Sequence, residues 1–212
     1  MEALMCPATC HGGPGVECSV AERSMEGQAV SGDTFVCQPF ETGTLVCAID
    51  GLGHGEEAAV ASRLAKAIME RHAAEPLADL VKRCDSGMKS TRGAVASLAR
   101  FDMAGKMLSW LGVGNVDGVL FRHRDDGSVD KEGMASRGGV IGYRLPPLRI
   151  STFEVRAGDT LVLATDGLAG AFVDHIDYRA ELGEIADGLM RDYGKTGDDA
   201  LVVVARYIGD PS

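Results

Sequence analysis

Short apolar runs separated by turn residues make up much of the chain, and three longer stretches place apolar residues at helical spacing. The short runs are rich in β-branched residues, which is typical of strands. They predict strands at 16–22, 34–39, 44–49, 94–102, 107–112, 116–123, 149–155, 160–165 and 200–208. The longer stretches predict helices at 56–73, 76–89 and 179–193.

Two turn motifs indicate how the strands connect. Ala104-Gly105 and Asp125-Asp126-Gly127 have the composition of hairpin turns between neighbouring strands. Hairpins join antiparallel strands, whereas parallel strands need long crossover connections. The pattern therefore predicts antiparallel sheets accompanied by helices, and it argues against a doubly wound nucleotide-binding fold.

Length and composition are those of a single domain. The chain has 212 residues, of which 45% are hydrophobic, and this is enough to bury one sizeable core. Gly and Pro are frequent near the end of segment 1–15, which is expected to be a loose N-terminal leader. Residues 16–212 are expected to form the domain.

The charge balance limits the class of partner. Asp and Glu number 31 against 21 Lys and Arg, so the formal net charge is −10. Neither nucleic acid nor an anionic membrane is expected to bind such a chain. No run approaches the ~18 apolar residues of a membrane-spanning helix, and the N-terminus lacks a secretory signal pattern. We expect a cytoplasmic protein, and the sequence does not indicate its oligomeric state.

The cysteines show no spacing typical of a disulfide framework, so reduced thiols are expected in the cytoplasm. Cys6, Cys10 and His11 resemble part of a zinc site, but a fourth ligand is missing and the spacing is irregular. A zinc site is therefore not favoured. The six cysteines are Cys6, Cys10, Cys18, Cys37, Cys47 and Cys84.

The motif Asp50-Gly51-Leu52-Gly53-His54-Gly55 lies between a predicted strand and a predicted helix. Its glycines permit close approach of the backbone or positive φ, and its carboxylate indicates a metal ion more than a phosphate, which would favour Lys or Arg. The alternative is a tight turn in which Asp50 caps the following helix. For this motif alone, both interpretations stay open.

Acidic residues recur at the ends of predicted strands. Asp166-Gly167-Leu168 follows one strand, Asp33 precedes another, and Asp198-Asp199 precedes the last one. If these carboxylates converge, they repel one another unless hard divalent cations neutralise them. Two Mg²⁺ or Mn²⁺ ions about 3.5–4 Å apart could then activate water for attack on a phosphoester. Spacing along the chain does not by itself demonstrate this convergence.

These motifs, in this order, resemble those of the metal-dependent protein serine/threonine phosphatases (PPM family). Within that family the chain is most similar to the bacterial branch of SpoIIE and the stress-pathway phosphatases, and in that branch to the RsbX type of the stressosome. The resemblance covers roughly residues 16–208. The motifs that carry it are Ser31-Gly32-Asp33, Asp50-Gly51-Leu52-Gly53-His54-Gly55, Gly112-Val113-Gly114-Asn115, Gly138-Gly139-Val140-Ile141-Gly142-Tyr143, Ala164-Thr165-Asp166-Gly167-Leu168 and Asp198-Asp199-Ala200.

The resemblance implies an α+β fold, namely a four-layer α-β-β-α sandwich of two antiparallel sheets flanked by helices. It implies a phosphoserine or phosphothreonine phosphatase that acts on a phosphorylated STAS-domain scaffold or antagonist protein in stress-response signalling. The alternatives are a catalytically silent module of the same fold that binds a phosphoprotein, and a hydrolase of small phosphoesters. The lack of an Arg or Lys cluster beside the motifs disfavours the latter.

The resemblance also implies two divalent cations, Mn²⁺ or Mg²⁺, and attack on phosphorus by a water bound between them. Asp50 would bridge both ions, and Asp50 and Asp166 would contribute to catalysis through the metals. Asp198 is preferred to Asp199 because the family's ligand is the first of such a pair. The implied metal ligands are Asp33, Asp50, the carbonyl of Gly51, Asp166 and Asp198.

Some positions depart from the wider family. Leu52 replaces a His that protonates the leaving oxygen in eukaryotic members, and His54 is a less favoured candidate for that role than for shaping the loop. Arg23 is the nearest counterpart of the family's phosphate-binding Arg, although a solvated loop residue is favoured. Arg137 fits either phosphoprotein contact or ordinary surface. The segment 112–115 is interpreted as a turn near the site, not as a nucleotide loop.

Overall fold

The computed structural model describes residues 8–10, 13, 15–124 and 126–209. Two sheets lie face to face, and helices cover their outer faces. The strands are β1 (Ala8–Cys10), β2 (Val16–Arg23), β3 (Asp33–Phe40), β4 (Gly43–Gly51), β5 (Ala94–Asp102), β6 (Met107–Val113), β7 (Asp117–His123), β8 (Val129–Gly133), β9 (Ser136–Arg137), β10 (Ser151–Glu154), β11 (Thr160–Ala164) and β12 (Ala200–Tyr207). The helices are α1 (Glu56–Arg71), α2 (Leu77–Gly87) and α3 (Leu182–Tyr193), with a 3₁₀ helix at Gly170–His175.

The strand order explains how distant segments meet. The first sheet has the order β1-β2-β12-β11-β7-β8, and the second has the order β10-β6-β5-β4-β3 with β9 beside β6. All neighbouring strands are antiparallel except β6 and β9, which run parallel. The predicted four-layer sandwich is thus confirmed, with one short parallel pair added.

Alternation along the central strands builds two apolar layers at once. In β4, Val46 and Ala48 face the core between the sheets. Leu45, Cys47 and Ile49 point to the opposite face, where the helices lie. Because successive side chains of a strand alternate between faces, an uninterrupted apolar run is what a strand buried on both faces requires.

The helices cover the sheets with stripes of small and branched residues. Ala61, Ala65 and Met69 of α1 are buried against the second sheet, and the small size of the two alanines allows the helix to approach closely. Ile185 and Leu189 of α3 pack on the outer face of the first sheet. Their spacing is that of a single helix face. Within the described residues, no helix combines the length and the apolar character needed to cross a bilayer.

The predicted elements agree with the structure where the apolar pattern is strong, and β1, β8 and β9 were not predicted. β8 is an edge strand of mostly polar, exposed residues, while β1 and β9 are very short. The start predicted for α3 at residue 179 was wrong, because the backbone N–H groups of Arg179 and Ala180 bond to Asp177 in a turn. Ala8–Cys10 pair with β2, and the boundary at residue 15 stays a prediction.

Candidate active site

Four aspartates meet at one end of the sandwich, two from each sheet. Asp33 and Asp50 lie directly opposite each other in the β3–β4 ladder. Asp166 comes just after β11 and Asp198 just before β12, and these strands are paired at that end by Ala164 and Val202. The structure therefore brings together the side chains that the sequence placed at four separate strand ends. Their roles as ligands stay a prediction.

A single hydroxyl joins the two sheets at this point. Thr165 Oγ1 donates a hydrogen bond of 2.6 Å to Asp33 Oδ2. The same oxygen accepts a hydrogen bond of 2.9 Å from the backbone N–H of Leu201. Thr165 is buried directly after β11, and its contacts fix Asp33 of the second sheet against the end of β11 and the start of β12 in the first. Sequence analysis did not single out this residue.

Burial makes the paired carboxylates difficult to ionise. Burial raises the pKa of Asp33 to about 7, although the hydrogen bond from Thr165 acts in the opposite direction. Burial, together with the negative charges of Asp33, Asp166 and Asp198, raises the pKa of Asp50 to about 8. Near neutral pH, this pair binds protons unless another positive charge takes their place.

The aspartates border a cleft of about 570 Å³. Asp50, Asp166 and Asp198 line it together with the exposed side chain of His54, whereas Asp33 lies behind them and is 6% exposed. Residues 138–140, from the second glycine-rich motif, also line the cleft. The lining thus combines acidic side chains with glycine-rich backbone.

Two neighbours hold Asp166 in place. Asn115 Nδ2 donates a hydrogen bond of 2.7 Å to Asp166 Oδ2, and Lys195 Nζ donates one of 2.6 Å to the carbonyl oxygen of Asp166. Sequence analysis predicted a turn near the site at 112–115 but no contact of Asn115 with a carboxylate. Asn115 lies directly after the Gly112-Val113-Gly114 run, and this position was the only sequence signal for the contact.

Asp198 and Asp199 are adjacent in sequence but have different surroundings. Asp199 is 4% exposed, and its two carboxylate oxygens accept hydrogen bonds of 2.8 Å from the backbone N–H groups of Met25 and Gly32. Asp198 lines the cleft instead. The Asp199 carboxylate therefore holds the β2–β3 loop, and the Asp198 carboxylate is the one available in the cleft.

The loop after β4 has the close packing that its glycines suggested. A Cβ at Gly51 would lie 2.1 Å from the carbonyl oxygen of Ala58, so α1 begins directly against this residue. Gly55 precedes α1 with φ +72°, a conformation that favours glycine. No side chain caps α1. The alternative in which Asp50 caps the helix is therefore wrong.

Three other candidate residues have the following surroundings. Arg23 is the last residue of β2 and not a loop residue, and its partly exposed side chain donates a hydrogen bond of 2.8 Å from Nη2 to the Lys195 carbonyl. Arg137 is exposed, and its guanidinium makes no hydrogen bond or ion pair within the described part of the chain. His54 lies in the cleft wall, where its role stays a prediction.

The donor set fits hard divalent cations. The aspartates at the site supply carboxylate oxygens, and such donors suit Mg²⁺ or Mn²⁺ with water in the remaining positions. Among the described residues, no three His, Cys, Asp or Glu side chains form a ready-made ligand cage. Cys6 and His11 of the disfavoured zinc site lie outside the described residues.

Comparison with known sequences finds a matching family model and a similar curated protein. The family model of Stage II sporulation protein E (SpoIIE) matches residues 41–208. Among curated proteins, the phosphoserine phosphatase RsbX of Bacillus subtilis (strain 168) is 26% identical over 193 residues, which are 90% of this chain and 94% of RsbX.

Solved structures share the fold over nearly the whole chain. The crystal structure of RsbX in complex with magnesium has a TM-score of 0.82 and 23% identity, and the match covers 95% of this chain and 99% of that one. A second solved structure has a TM-score of 0.81 and 28% identity. It comes from a study of the bacterial stressosome as a modular system adapted to control secondary messenger signalling. That match covers 90% of this chain and 99% of the other.

Substitution of the two adjacent aspartates is expected to affect stability differently. Asp199→Ala removes the acceptor of two buried backbone N–H groups, so we expect the free energy of unfolding without metal to fall by about 3 kcal/mol. Asp198→Ala should lower it by less than about 1 kcal/mol, because this side chain faces the cleft. Urea denaturation in EDTA measures both values. Equal losses would contradict the division of roles between the two carboxylates.

Asp50→Asn is expected to stabilise the metal-free protein, and to do so more strongly as the pH rises. The pKa of Asp50 is about 8 in the folded protein against an ordinary 3.8. The folded state therefore binds more protons between these values, and the stability of the wild type falls as the pH rises toward 8. Asn cannot ionise and avoids this loss. In urea denaturation with EDTA, the difference in the free energy of unfolding between variant and wild type should widen from pH 5 to pH 8.

Excess Mg²⁺ provides the control for this experiment. Cations favour the ionised carboxylate, so the wild type should gain more stability from Mg²⁺ at pH 8 than Asp50→Asn does. If the difference in the free energy of unfolding between wild type and Asp50→Asn in EDTA did not depend on pH, a raised pKa at Asp50 would be contradicted.

Proposed function

The chain belongs to the Stage II sporulation protein E (SpoIIE) family, and from this premise we propose that it hydrolyses phosphoserine or phosphothreonine in a partner protein with the help of divalent cations. The enzyme class is protein serine/threonine phosphatase. This class follows from membership of the family together with the similarity to the phosphoserine phosphatase RsbX. The mechanism and the substrate are the parts that need further argument.

The observation that carries the proposal is the acidic end of the sandwich. A phosphoryl group is an anion, and a cleft bordered by Asp50, Asp166 and Asp198 repels it. In the described residues, neither Lys nor Arg lines this cleft to offset the repulsion. Bound cations would both neutralise the carboxylates and attract the phosphoryl group. The three aspartates thus repel a phosphoryl group when no cation is bound, and they suit one that binds through metal ions.

The proposed ligands are the side chains of Asp33, Asp50, Asp166 and Asp198 together with the carbonyl of Gly51. Two Mn²⁺ or Mg²⁺ ions bound there would orient the phosphoryl group and lower the pKa of water. Magnesium is present in the RsbX crystal structure, which shares this fold. The use of two ions, and the choice between Mn²⁺ and Mg²⁺, are part of the proposal.

The chain's own contribution is to position the ligands in advance. Thr165 fixes Asp33, while Asn115 and Lys195 fix Asp166 from its side chain and its backbone. Ligands held by neighbouring hydrogen bonds need little rearrangement when the substrate binds. Gly51 is also held, because its backbone N–H donates a hydrogen bond of 3.1 Å to the Gly32 carbonyl.

The lining of the cleft favours direct attack by water. Where the structure is described, no Ser, Thr or Cys side chain lines the cleft, so a covalent phosphoenzyme has no nucleophile of these types there. His54 is the titratable group of the cleft wall that is not a proposed ligand, and we retain it as a candidate proton donor to the leaving oxygen.

The proposed substrate is a phosphorylated STAS-domain protein of a bacterial partner-switching pathway. RsbX and the stressosome chain are the relatives that support this choice. The absence of Lys and Arg from the described cleft lining also favours a protein substrate, because a small phosphoester would find no cationic clamp there. Binding energy would then come from the partner's surface. A cytoplasmic location is part of the same proposal.

Hydrolysis of p-nitrophenyl phosphate by the purified full chain tests the phosphatase proposal. We expect turnover with Mn²⁺ or Mg²⁺ and none with EDTA. Asp50→Asn and Asp166→Asn should each lower kcat by at least about 100-fold, because each removes a proposed ligand charge. Asp187→Asn, on the exposed face of α3, is the matched control and should retain wild-type activity. A folded protein without turnover under any metal condition would favour the silent binding module.

The choice of substrate has its own test. We expect kcat/KM on a phosphorylated STAS-domain protein to exceed that on free phosphoserine by at least about 100-fold, because surface contacts add binding energy that a small molecule cannot supply. Phosphate release with each substrate measures this ratio. Similar values for the two substrates would contradict the protein substrate while leaving the phosphatase activity intact.

A further inference from the structure

Two cysteines of the two sheets lie against each other in the core. Cys18 belongs to β2 of the first sheet and Cys37 to β3 of the second, and their Sγ atoms are 2.8 Å apart. Both side chains face the layer between the sheets. Cys18 is buried and Cys37 is partly exposed, and neither forms a disulfide in the structure.

The separation of the two sulfur atoms is close to that of a bond. A disulfide has an S–S length near 2.05 Å, so the Sγ atoms need to approach by only about 0.8 Å. The two residues are not neighbours in a ladder, since β2 and β3 belong to different sheets. A bond between them would therefore link the sheets covalently at one edge of the sandwich.

Cys37 is the more accessible of the two thiols and the one whose surroundings favour the thiolate. The hydrogen bond with Cys18 lowers the pKa of Cys37 below its ordinary value, with burial acting against it. Cys47 and Cys84 differ, because burial raises the pKa of both and neither is accessible. Reaction with peroxide follows thiolate character and exposure. Among the cysteines with described side chains, Cys37 is thus the first expected to react.

We propose that Cys18 and Cys37 are a reversible dithiol–disulfide pair that responds to peroxide. Cys37 releases its thiol proton, and the thiolate attacks hydrogen peroxide, which breaks the O–O bond and gives a sulfenic acid and a hydroxide that takes up the released proton as water. The Cys18 sulfur then displaces the sulfenic hydroxyl as a second water and forms the S–S bond. Two electrons pass from the thiols to the peroxide, and a dithiol reductant reverses the change. Disulfides of this transient kind are the ones expected in a reducing compartment.

The position of the pair links it to the active site. Asp33 and Cys37 lie on the same face of β3, because they are four residues apart in a strand. Asp33 already connects the sheets through Thr165, and a Cys18–Cys37 bond would add a second connection roughly 13 Å along the same strand. Oxidation would thus fix the distance between the sheets about 13 Å along β3 from Asp33.

Peptide mapping of the oxidised full chain tests this proposal. The protein is treated with equimolar hydrogen peroxide, the remaining thiols are alkylated, and the digest is analysed by mass spectrometry without reductant. We expect a peptide pair linked through Cys18 and Cys37 with the loss of two hydrogen atoms, fully restored by dithiothreitol. The melting temperature should rise by roughly 5–10 °C on oxidation, because the bond closes a chain loop between two strands.

Cysteine variants separate this pair from other pairings. Cys37→Ala should abolish both the linked peptide and the rise in melting temperature, whereas Cys84→Ala, from the core beneath the helices, should retain both. Cys10 lies opposite Cys18 in the β1–β2 register. A Cys10–Cys18 linkage would overturn the proposal, as would oxidation of Cys37 to sulfinic acid without a linked peptide. The mapping uses the unsubstituted chain, so it does not depend on the folding of a variant.

Discussion

Repulsion among four aspartate carboxylates is the constraint on which the organisation of this protein depends. The sandwich places Asp33 and Asp50 at the end of one sheet, and Asp166 and Asp198 at the facing end of the other. Burial is the largest part of the cost of ionising Asp33 and Asp50, and the charges of the neighbouring aspartates add to it. Burial of the apolar layers on both faces of each sheet offsets the unfavourable free energy of this cluster.

The neighbouring contacts reduce the freedom of the cluster without removing its charge. Thr165 holds Asp33, and Asn115 holds Asp166, each through one hydrogen bond. Asp199 is in the opposite situation, because backbone N–H groups satisfy both of its oxygens. Two adjacent aspartates thus have different roles, one in holding a loop and one in bordering the cleft. The site is acidic, and neighbouring hydrogen bonds orient two of its carboxylates, which favours the binding of cations.

Much of the fold could be predicted from the sequence because its strands are buried and strongly apolar. β4 and β12 are continuous apolar runs, and the chain has no similar signal for β8, an exposed edge strand whose sequence is mostly polar. The start of α3 was placed too early, since the Asp177 side chain and backbone form a local turn that competes with the helix. Local hydrogen bonds of this kind leave little trace in a hydrophobic pattern.

The site was predictable in its acidic residues and not in their partners. Each aspartate stands at the end of an apolar run, and this position is visible in the sequence. The contact between Thr165 and Asp33 joins residues 132 positions apart, and that between Asn115 and Asp166 joins residues 51 positions apart. Such pairs depend on the packing of one sheet on the other. The contact of Arg23 with the distant Lys195 carbonyl was not predictable for the same reason.

A crystal structure of the protein grown with Mn²⁺, with anomalous scattering recorded near the manganese absorption edge, tests the central claim most directly. Two anomalous peaks about 3.5–4 Å apart, between the carboxylates of Asp33, Asp50, Asp166 and Asp198, would agree with a site built to bind a pair of cations. Peaks located away from these aspartates, or a cleft without manganese at saturating concentration, would contradict the account.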